Sequence, residues 1–316
     1  MFKSAIALAL CGLFSVPLAY AEFSLHDDGK NVTITEGDQP VLVYNYTWVD
    51  PPIDVAPNFR RTGYIHPLYG IGGEVLTEDY PSDHYHHRGV FWGWPRGDWK
   101  GKRLDTWGLS NSRERHKQWL TQEATKTGAV LELENEWILD ESPDMPIALE
   151  TVRIDVRPAT DVGRALDFTI TLKNITDAPL QLKGAIEKNK GYGGFNFRPD
   201  AARKPMLFTT ALGVQEEDTF IVESPWVDVS YAVEPGSEKL SGAAIFQHPD
   251  NPDFPHPHYL IRHYAFLGHA WPGNTPYDMA PGDSVTLKYR LYTHKGDAEA
   301  GKVAEAWEEY LAITKN

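Results

Sequence analysis

Apolar and polar residues alternate without a break in the run Leu166-Asp167-Phe168-Thr169-Ile170-Thr171-Leu172-Lys173. Because successive side chains of a β-strand point to opposite faces of a sheet, this run predicts a strand with one buried face. The same alternation occupies residues 131–137 and 285–292, and shorter runs of this kind cover residues 31–36, 40–47, 147–156, 181–187 and 240–247. Gly, Pro, Asn and Asp cluster between the runs, which is typical of turns between antiparallel strands.

One segment has a helical period instead. In residues 298–311 the apolar side chains Val303, Trp307 and Tyr310 fall on one face, and Glu and Lys residues fall on the other. We therefore predict an all-β fold, a large antiparallel β-sandwich closed by one C-terminal helix that packs Trp307 inward. No linker divides the sequence, so residues 22–316 are predicted to form a single domain.

The composition is that of an ordinary globular protein. Of the 316 residues, 41% are hydrophobic and 23% are charged, which excludes a disordered chain. Thirty Lys and Arg stand against 44 Asp and Glu, a formal net charge of −14. A protein this acidic repels phosphate backbones, so the charge argues against nucleic-acid binding. Beyond the N-terminus no apolar run has the length of a membrane-spanning helix, so membrane insertion is not expected.

The N-terminus has the pattern of a secretory signal peptide. Lys3 supplies a positive start, residues 5–16 are apolar, and Ala19-Tyr20-Ala21 is a small-x-small cleavage site. We predict that residues 1–21 are removed and that the protein is periplasmic or secreted in a Gram-negative bacterium. Cys11 is the sole cysteine and lies in this leader, so the predicted mature chain has no disulfide, cysteine nucleophile or thiolate metal site.

Histidines are concentrated in the run Asp83-His84-Tyr85-His86-His87-Arg88-Gly89, which two tryptophans follow closely. If this run is extended, alternate residues share a face, which groups His84, His86 and Arg88. Two imidazoles at such a spacing can chelate a metal, or can act as neutral and charged partners in proton transfer. The alternative is a polar strand end whose histidines only form hydrogen bonds to loops.

Two further runs, residues 187–198 and 248–262, combine polar and aromatic residues with glycines and prolines. Glycine allows close approach of the backbone, and proline holds a loop extended. A purely structural role explains each run equally well: a glycine-rich hairpin for residues 187–198, and a proline-stiffened loop with incidental histidines for residues 248–262. The candidate site residues in these runs and nearby are Glu187, Tyr192, Asn196, Arg198, Asp228, His258 and Arg262.

Aromatic rings interleaved with His, Arg, Asn and Asp suit a saccharide. The C–H faces of a sugar stack on Trp and Tyr rings, and its hydroxyl groups need many polar partners. Two hydrolase classes find no support, because the sequence lacks the G-x-S-x-G motif of serine hydrolases and the H-E-x-x-H motif of zincins.

Together these runs resemble the signature of a secreted bacterial family that carries the label PmoA-like and whose domain has no known function. The resemblance covers nearly all of the predicted mature chain. Its blocks are His66-Pro67-Leu68-Tyr69, residues 73–81, residues 83–89, Trp92-Gly93-Trp94, Gly191-Tyr192-Gly193-Gly194, Pro225-Trp226-Val227-Asp228 and Arg262-His263-Tyr264. It implies a fold similar to the galactose-mutarotase supersandwich and a role in polysaccharide breakdown. Since that fold hosts epimerases, glycoside hydrolases and polysaccharide lyases, it does not choose among them.

In mutarotase-like enzymes a histidine pair and a carboxylate move protons on and off the sugar. The resemblance therefore implies acid/base catalysis by His86 and His87, with Asp228 or Glu187 as the carboxylate. Arg88 and Arg198 would hold an anionic substituent. The other expected substrate-binding residues are His66, Trp92, Trp94, Tyr192, Asn196, His258 and Arg262, of which Trp92, Trp94 and Tyr192 would form stacking walls.

The predicted function is an exported carbohydrate-active enzyme that cleaves or modifies an oligosaccharide, neutral or anionic, as a lyase, dehydratase or glycoside hydrolase. Two alternatives stay open: an isomerase similar to aldose epimerases, whose catalytic Glu has no clear copy near the C-terminus, and a non-catalytic glycan-binding protein. Proton transfer needs no cofactor; a zinc or other divalent ion held by His84 and His86 is the alternative. Residues 66–94, 187–198 and 226–264 are expected to meet in one cleft, within roughly 15 Å, several times hydrogen-bond reach.

Overall fold

The structure, a computed structural model, describes residues 21–314. The predicted signal peptide therefore lies outside the described residues, apart from its last residue, Ala21. In chain order the strands are β1 Phe23–Asp27, β2 Asn31–Glu36, β3 Gln39–Asn45, β4 Tyr64–Leu68, β5 Val90–Gly93, β6 Arg96–Trp99, β7 Lys102–Leu104, β8 Ser112–Thr125, β9 Gly128–Leu139, β10 Ala148–Val156, β11 Gly163–Asn174, β12 Leu180–Lys183, β13 Gly194–Phe197, β14 Leu207–Thr210, β15 Gly213–Gln215, β16 Thr219–Ile221, β17 Trp226–Ala232, β18 Leu240–Gln247, β19 His258–Arg262, β20 Phe266–His269, β21 Tyr277–Met279 and β22 Ser284–Lys295. Helix α1 spans Val303–Thr314, and short 3-10 turns occupy Pro57–Phe59 and Glu187–Asn189.

Two nine-stranded sheets form the body of the protein. The first, called sheet I, has the strand order β1-β2-β3-β4-β5-β13-β20-β19-β16. The second, called sheet II, has the order β15-β14-β17-β18-β22-β11-β10-β9-β8. A smaller sheet contains β21, β12, β6 and β7 in that order. Neighbouring strands of all three sheets pair antiparallel, for example β11 with β22, where Phe168 lies opposite Tyr289. The predicted all-β sandwich with one C-terminal helix is thus confirmed.

The alternating runs form strands close to their predicted bounds. Along β11 the buried residues Leu166, Phe168 and Ile170 alternate with half-buried polar ones, as a strand with one face on the core requires. The prediction for residues 181–187 is only partly correct, because β12 ends at Lys183. Gly184 follows at a crowded position, where a Cβ atom would collide with the carbonyl oxygen of Gly191.

Helix α1 packs its apolar stripe against the outer face of sheet II. Val303, Trp307 and Tyr310 are buried there, and the Trp307 ring lies 5.6 Å from that of Phe246. The predicted helix with Trp307 inward is confirmed, although it begins at residue 303 rather than 298. Residues 297–302 turn instead, because the Asp297 side chain accepts a hydrogen bond from the backbone N–H of Ala300 at 2.9 Å. No helix among residues 21–314 is long and apolar enough to cross a bilayer.

Sheet I is apolar on both faces near its centre. Val90 and Trp92 of β5 point into the core between the two sheets, whereas Phe91 points away from it. Outward-pointing residues of this sheet and Trp107, from the loop between β7 and β8, form a separate buried layer, called here the outer apolar layer, which contains Tyr64, Phe91, Trp107, Leu260 and Phe266. The segments that cover this layer carry most of the histidines and aromatic residues predicted to act in binding or catalysis.

Candidate functional site

The histidine run forms a tight turn rather than a strand. The backbone N–H of His84 donates to the carbonyl of Pro81 at 3.0 Å, and that of His87 donates to the carbonyl of His84 at 2.9 Å. The premise of an extended run is therefore wrong: consecutive turns place the three histidines on one side and turn Arg88 away from them. Gly89 closes the segment at a φ of +47°, where a Cβ atom would collide with the carbonyl oxygen of Ile65.

The three imidazoles of His84, His86 and His87, called here the histidine cluster, are in mutual contact. Ring centroids lie 4.6 Å apart for His84 and His87, 4.5 Å for His86 and His87, and 5.6 Å for His84 and His86. The cluster rests on the outer apolar layer, since the ring of His87 lies 4.3 Å from Phe266 and 5.7 Å from Trp107. Of the three, His87 is buried, whereas His84 and His86 are half-buried.

One carboxylate serves the cluster. Asp83 accepts a hydrogen bond from Nδ1 of His84 at 3.0 Å, which leaves the Nε2 lone pair of His84 free. Arg198 is buried and holds Asp83 in place through Nη2 at 2.8 Å and Nη1 at 3.2 Å. The same Nη1 lies 3.5 Å from Nδ1 of His87. Arg198 therefore positions Asp83 and His87 rather than presenting a free charge to a ligand.

Burial keeps two of the imidazoles neutral. It lowers the pKa of His86 to about 3, with the neighbouring His84 as the next cause, and it holds the pKa of His87 well below its usual range. For Asp83, burial alone would raise the pKa, but hydrogen bonds from His84 and Arg198 outweigh it and lower the pKa. At neutral pH the cluster thus presents an ionised carboxylate beside neutral rings of His86 and His87.

Aromatic side chains surround the cluster; Phe59, Tyr85 and Tyr192 are half-buried, and Tyr264 is exposed. Tyr264 stacks on His84 with centroids 5.3 Å apart, Phe59 lies 6.4 Å from His86, and Tyr85 lies 5.8 Å from Phe59. Tyr192 lies 5.2 Å from Trp107, which itself contacts His86 and His87. Rings that are apolar on one side and accessible on the other are suited to the C–H faces of sugars.

The histidine run therefore meets two of the distant segments predicted to join it. Since Trp107 touches both His87 and Tyr192, these two rings lie well within the predicted limit of roughly 15 Å. His258 packs against Gly191, the residue before Tyr192, and stacks on His256 with centroids 5.0 Å apart. Arg262 lies opposite Phe266 in the pairing of β19 with β20.

Asp228 does not belong to this site. It lies on the outer face of sheet II, with the core of the sandwich between it and the histidine cluster, and its partner there is His294. Nε2 of His294 lies 2.7 Å from Oδ1 of Asp228, and both side chains are fully buried. Burial alone would lower the pKa of His294, but the Asp228 carboxylate outweighs it and raises the pKa. The pairing of Asp228 with His86 and His87 is wrong for this physical reason.

Three other predicted contacts are also wrong. Arg88 is fully buried between the rings of Tyr64 and Tyr80 and forms an ion pair with Asp79, so its charge is not available to a substrate. Trp92 and Trp94 face the core and cannot serve as stacking walls. Trp92 lies parallel to Phe195 at 6.4 Å, and the indole N–H of Trp94 donates to the carbonyl of Trp271 at 2.9 Å.

The remaining predicted residues lie near the site without touching the cluster. Glu187 is exposed and pairs with Arg96 at 3.2 Å. His66 shares a hydrogen bond of 2.9 Å with the hydroxyl of Thr77. Asn196 is fully buried, donates to the carbonyl of Gly194 at 2.6 Å and leaves its side-chain oxygen without a partner.

No group of three or more His, Cys, Asp or Glu within residues 21–314 is arranged to hold a metal ion. In the histidine cluster the rings of His84 and His87 are stacked face to face, tilted by only 7°. Such stacking aligns the rings rather than pointing their nitrogens at a common centre. A surface cavity of about 680 Å³ is lined by Glu74, Val233, Leu240 and Lys295 among others, and it contains no histidine.

Four residues of the site were not predicted: Arg61, Asp83 as the partner of His84, Trp107 and Tyr264. Buried Arg61 donates to the carbonyls of His86 and Thr106, and so ties the histidine turn to the segment that carries Trp107. Trp107 lies in the loop between β7 and β8, where the only signal in the sequence is an aromatic residue outside any alternating run. Tyr264 stands in the block Arg262-His263-Tyr264 that the family resemblance already contains.

A family model described as a family of unknown function, DUF6807, matches residues 31–308. No curated protein matches the sequence. Among solved structures, the chain is similar to the GH36 alpha-galactosidase AgaB from Geobacillus stearothermophilus, with 10% identity, a TM-score of 0.40 and coverage of 85% of this chain and 39% of that one. The chain spans about 40% of the length of the alpha-galactosidases it matches.

It is also similar to a proposed aldose 1-epimerase from Klebsiella pneumoniae subsp. pneumoniae MGH 78578, with 11% identity, a TM-score of 0.40 and coverage of 92% of this chain and 88% of that one. A third similar structure is the Slr1438 protein from Synechocystis sp. PCC 6803, with 10% identity, a TM-score of 0.36 and coverage of 93% and 99%. The PmoA-like label stays a prediction.

Proposed function

The chain belongs to the DUF6807 family of unknown function, and we propose that it is an exported enzyme that uses the histidine cluster to transfer protons on an oligosaccharide. One observation carries this proposal. Three imidazoles in mutual contact, one of them bonded to a carboxylate, stand on an apolar layer and are surrounded by aromatic rings that are partly accessible to solvent. The rings would hold the sugar faces, and the imidazoles would act on its hydroxyl or C–H groups.

His84 is the proposed general base. It is the member of the cluster that has a carboxylate partner, and Asp83 would stabilise the imidazolium that forms when Nε2 accepts a proton. In an elimination, Nε2 removes the proton next to a sugar carboxylate, the neighbouring C–O bond breaks, and the same proton passes to the leaving oxygen. The electron pair of the C–H bond becomes the new C=C bond. Hydrolysis would require a water molecule in addition, and isomerisation would return the proton to carbon.

His86 and His87 would serve as neutral hydrogen-bonding groups. With a pKa of about 3, His86 is a weak base at neutral pH. Its N–H can nevertheless donate to a sugar oxygen, and the burial of the cluster strengthens such a bond. The predicted acid/base role of His86 and His87 thus moves in part to His84.

The test is a panel of plant and algal oligosaccharides incubated with the wild-type protein and with His84→Ala. New reducing ends would identify a hydrolase, and ultraviolet absorbance of an unsaturated sugar would identify a lyase. We expect His84→Ala to lose about 10²–10⁴-fold in turnover, the usual contribution of a general base. His26→Ala is the matched control, because His26 is exposed on β1. Full turnover in His84→Ala would remove that residue from the mechanism.

A second candidate is a glycan-binding protein without turnover. The neutral, desolvated state of His86 and His87 favours it, since such rings suit hydrogen bonding better than proton transfer. Binding of a sugar in the panel with no product from any of them would support this candidate over the enzyme.

A further inference from the structure

Two cations share one aromatic ring beside the histidine cluster. The guanidinium carbon of Arg262 lies 3.8 Å from the ring centroid of Phe220, and the ammonium nitrogen of Lys190 lies 5.5 Å from the same centroid. Phe220 itself packs against the outer apolar layer. Lys190 and Arg262 belong to segments far apart in sequence, so the fold brings their charges together at this ring.

The charges of Lys190 and Arg262 are balanced less completely than the charge of Arg198. Lys190 forms no ion pair with any of residues 21–314. Arg262 forms a long ion pair with Oδ2 of Asp218 at 3.9 Å and donates to the backbone carbonyls of Ile261 and Thr219 at 3.0 and 3.4 Å, so one loosely held carboxylate is its counter-charge. Asp218 is shared between two residues, because its other oxygen, Oδ1, accepts hydrogen bonds from the backbone and ring nitrogens of His263 at 2.8 and 2.9 Å. Arg198, in contrast, is matched by two carboxylates, those of Glu78 and Asp83.

The segment that presents Lys190 has an unusual backbone. Lys188 and Asn189 adopt φ values of 53° and 54°, the left-handed region that residues other than glycine rarely occupy. The side chain of Asn274 donates to the carbonyl of Asn189 at 2.8 Å and holds this conformation. Strained backbone of this kind is retained chiefly where surrounding structure and function require it.

We infer that Lys190 and Arg262 form a subsite for the anionic group of an acidic oligosaccharide, a carboxylate or a sulfate ester. The inference rests on the proposed function, and it assigns the anionic recognition expected of Arg88 and Arg198 to different residues. Arg262 lies opposite Phe266, which contacts His87, so a short oligosaccharide reaches both the subsite and the histidine cluster. With a net charge of −14, the protein repels an anionic sugar at long range, and local cations are needed to bind it.

Calorimetric binding tests this inference separately from turnover. The probes are tetrasaccharides of a uronic acid, of a sulfated sugar and of glucose, titrated into the wild type, Lys190→Gln and Arg262→Gln. We expect each variant to bind the acidic probes about tenfold more weakly, the value of one charged hydrogen bond, and the glucose probe unchanged. Weaker binding of the uronic acid probe alone would identify a carboxylate, and of the sulfated probe alone a sulfate ester. Lys173→Gln, at an exposed position of β11, is the matched control.

Raising the salt concentration should weaken binding of the acidic probes to the wild type and have less effect on the variants. Equal affinity of the wild type for acidic and neutral probes, or an equal loss of both in the variants, would overturn the inference and leave the proposed function standing. If His84→Ala lost turnover and the wild type bound acidic and neutral probes alike, the proposed function would also stand and the subsite would be refuted. Failure of all probes to bind would count against both.

Discussion

Two Asp–His pairs in this protein share their chemistry and differ in their surroundings. Asp228 and His294 are in contact at 2.7 Å, and neither side chain is exposed. Asp83 and His84 are in contact at 3.0 Å, with 41% and 39% of their side chains exposed. The first pair lies below the turn that precedes helix α1, where a Cβ atom on Gly301 would collide with the His294 ring. The second pair stands at the surface of the histidine cluster.

The difference separates a structural role from a chemical one. A buried pair that loses one partner leaves a charge or a polar group without solvation, which is costly, yet no substrate can reach it. An exposed pair contributes little to stability, because water screens its attraction, but its free imidazole nitrogen is accessible to a ligand. Residue type alone therefore does not identify a catalytic dyad; lack of accessibility excludes the buried pair.

The largest expected effect is on the buried pair. Asp228→Asn should lower the free energy of unfolding by about 3–5 kcal/mol, because His294 would lose its carboxylate inside the protein. Urea unfolding followed by tryptophan fluorescence measures this change. Asp83→Asn is the control and should cost no more than about 1 kcal/mol. Equal free energies of unfolding for the two variants would contradict the distinction between a buried and an exposed pair.

The same contrast applies to two of the three predicted stacking residues, Trp92 in the core and Tyr192 at the site. Trp92→Ala should cost about 3 kcal/mol or more, because it leaves a cavity between the sheets. Tyr192→Ala should cost less, since Tyr192 is half-buried, but should weaken oligosaccharide binding. Unfolding and calorimetric binding curves for both variants test this. If Trp92→Ala kept its stability and lost binding, the assignment of the two rings would be reversed.

Activity should respond in the opposite sense to stability. Asp83→Asn should reduce turnover by at least about tenfold, because an amide cannot stabilise the His84 imidazolium as a carboxylate does. Asp228→Asn, assayed at a low temperature where it stays folded, should keep its turnover per folded molecule. Initial rates normalised by the folded fraction from circular dichroism provide the comparison. A loss of turnover in folded Asp228→Asn protein would contradict it.

The smallest effects concern the pH dependence of stability. In the folded protein the pKa of His86 is about 3, so the unfolded chain, with a histidine pKa of about 6.5, binds more protons below that pH. Stability should therefore fall as the pH drops from about 6.5 toward 3, and His86→Asn should reduce this decline. His87 adds to the same decline, because its pKa is lowered too.

His294 acts with the opposite sign. Its pKa is raised in the folded protein, so its contribution is complete below about 6.5 and is lost as the pH rises through the folded value. The urea midpoint should be measured from about pH 4 to about pH 9, which brackets the histidine titrations. We expect His86→Asn to change the pH dependence of the midpoint on the acid side, and His294→Gln to change it on the alkaline side. Changes on the same side in both variants would contradict the assignment.

The sequence predicts the sheets well because strand parity is local. The alternation around Phe168 requires only that side chains point to opposite faces, and the distant partner β22 carries the same pattern. Which face of a strand points into the core is harder to predict from sequence when both faces are apolar. Phe91 and Trp92 are both large and apolar, and only the three-dimensional arrangement places Trp92 in the core and Phe91 in the outer apolar layer.

The site is predicted in part. The density of histidines at residues 84–87 singles out the correct segment, but the turn that groups their rings depends on Pro81 and Gly89 rather than on alternation. The partner of Asp228 lies 66 residues away, and nothing near Asp228 in sequence indicates it. Likewise, Arg88 and Arg198 carry the charge expected of a ligand site, and the carboxylates that neutralise them become evident only when the chain is folded.

Gly89 has a consequence for how this family can vary. Since any side chain there would collide with the carbonyl of Ile65, the histidine turn and the glycine must be inherited together. A relative that replaces this glycine must rebuild the turn, and with it the placement of the three imidazoles, whereas a relative that has lost the histidines still needs the glycine to keep the same backbone. The joint presence of the glycine and the three histidines would mark the members that share this chemistry, and a glycine without the histidines would mark members that keep the turn for another purpose.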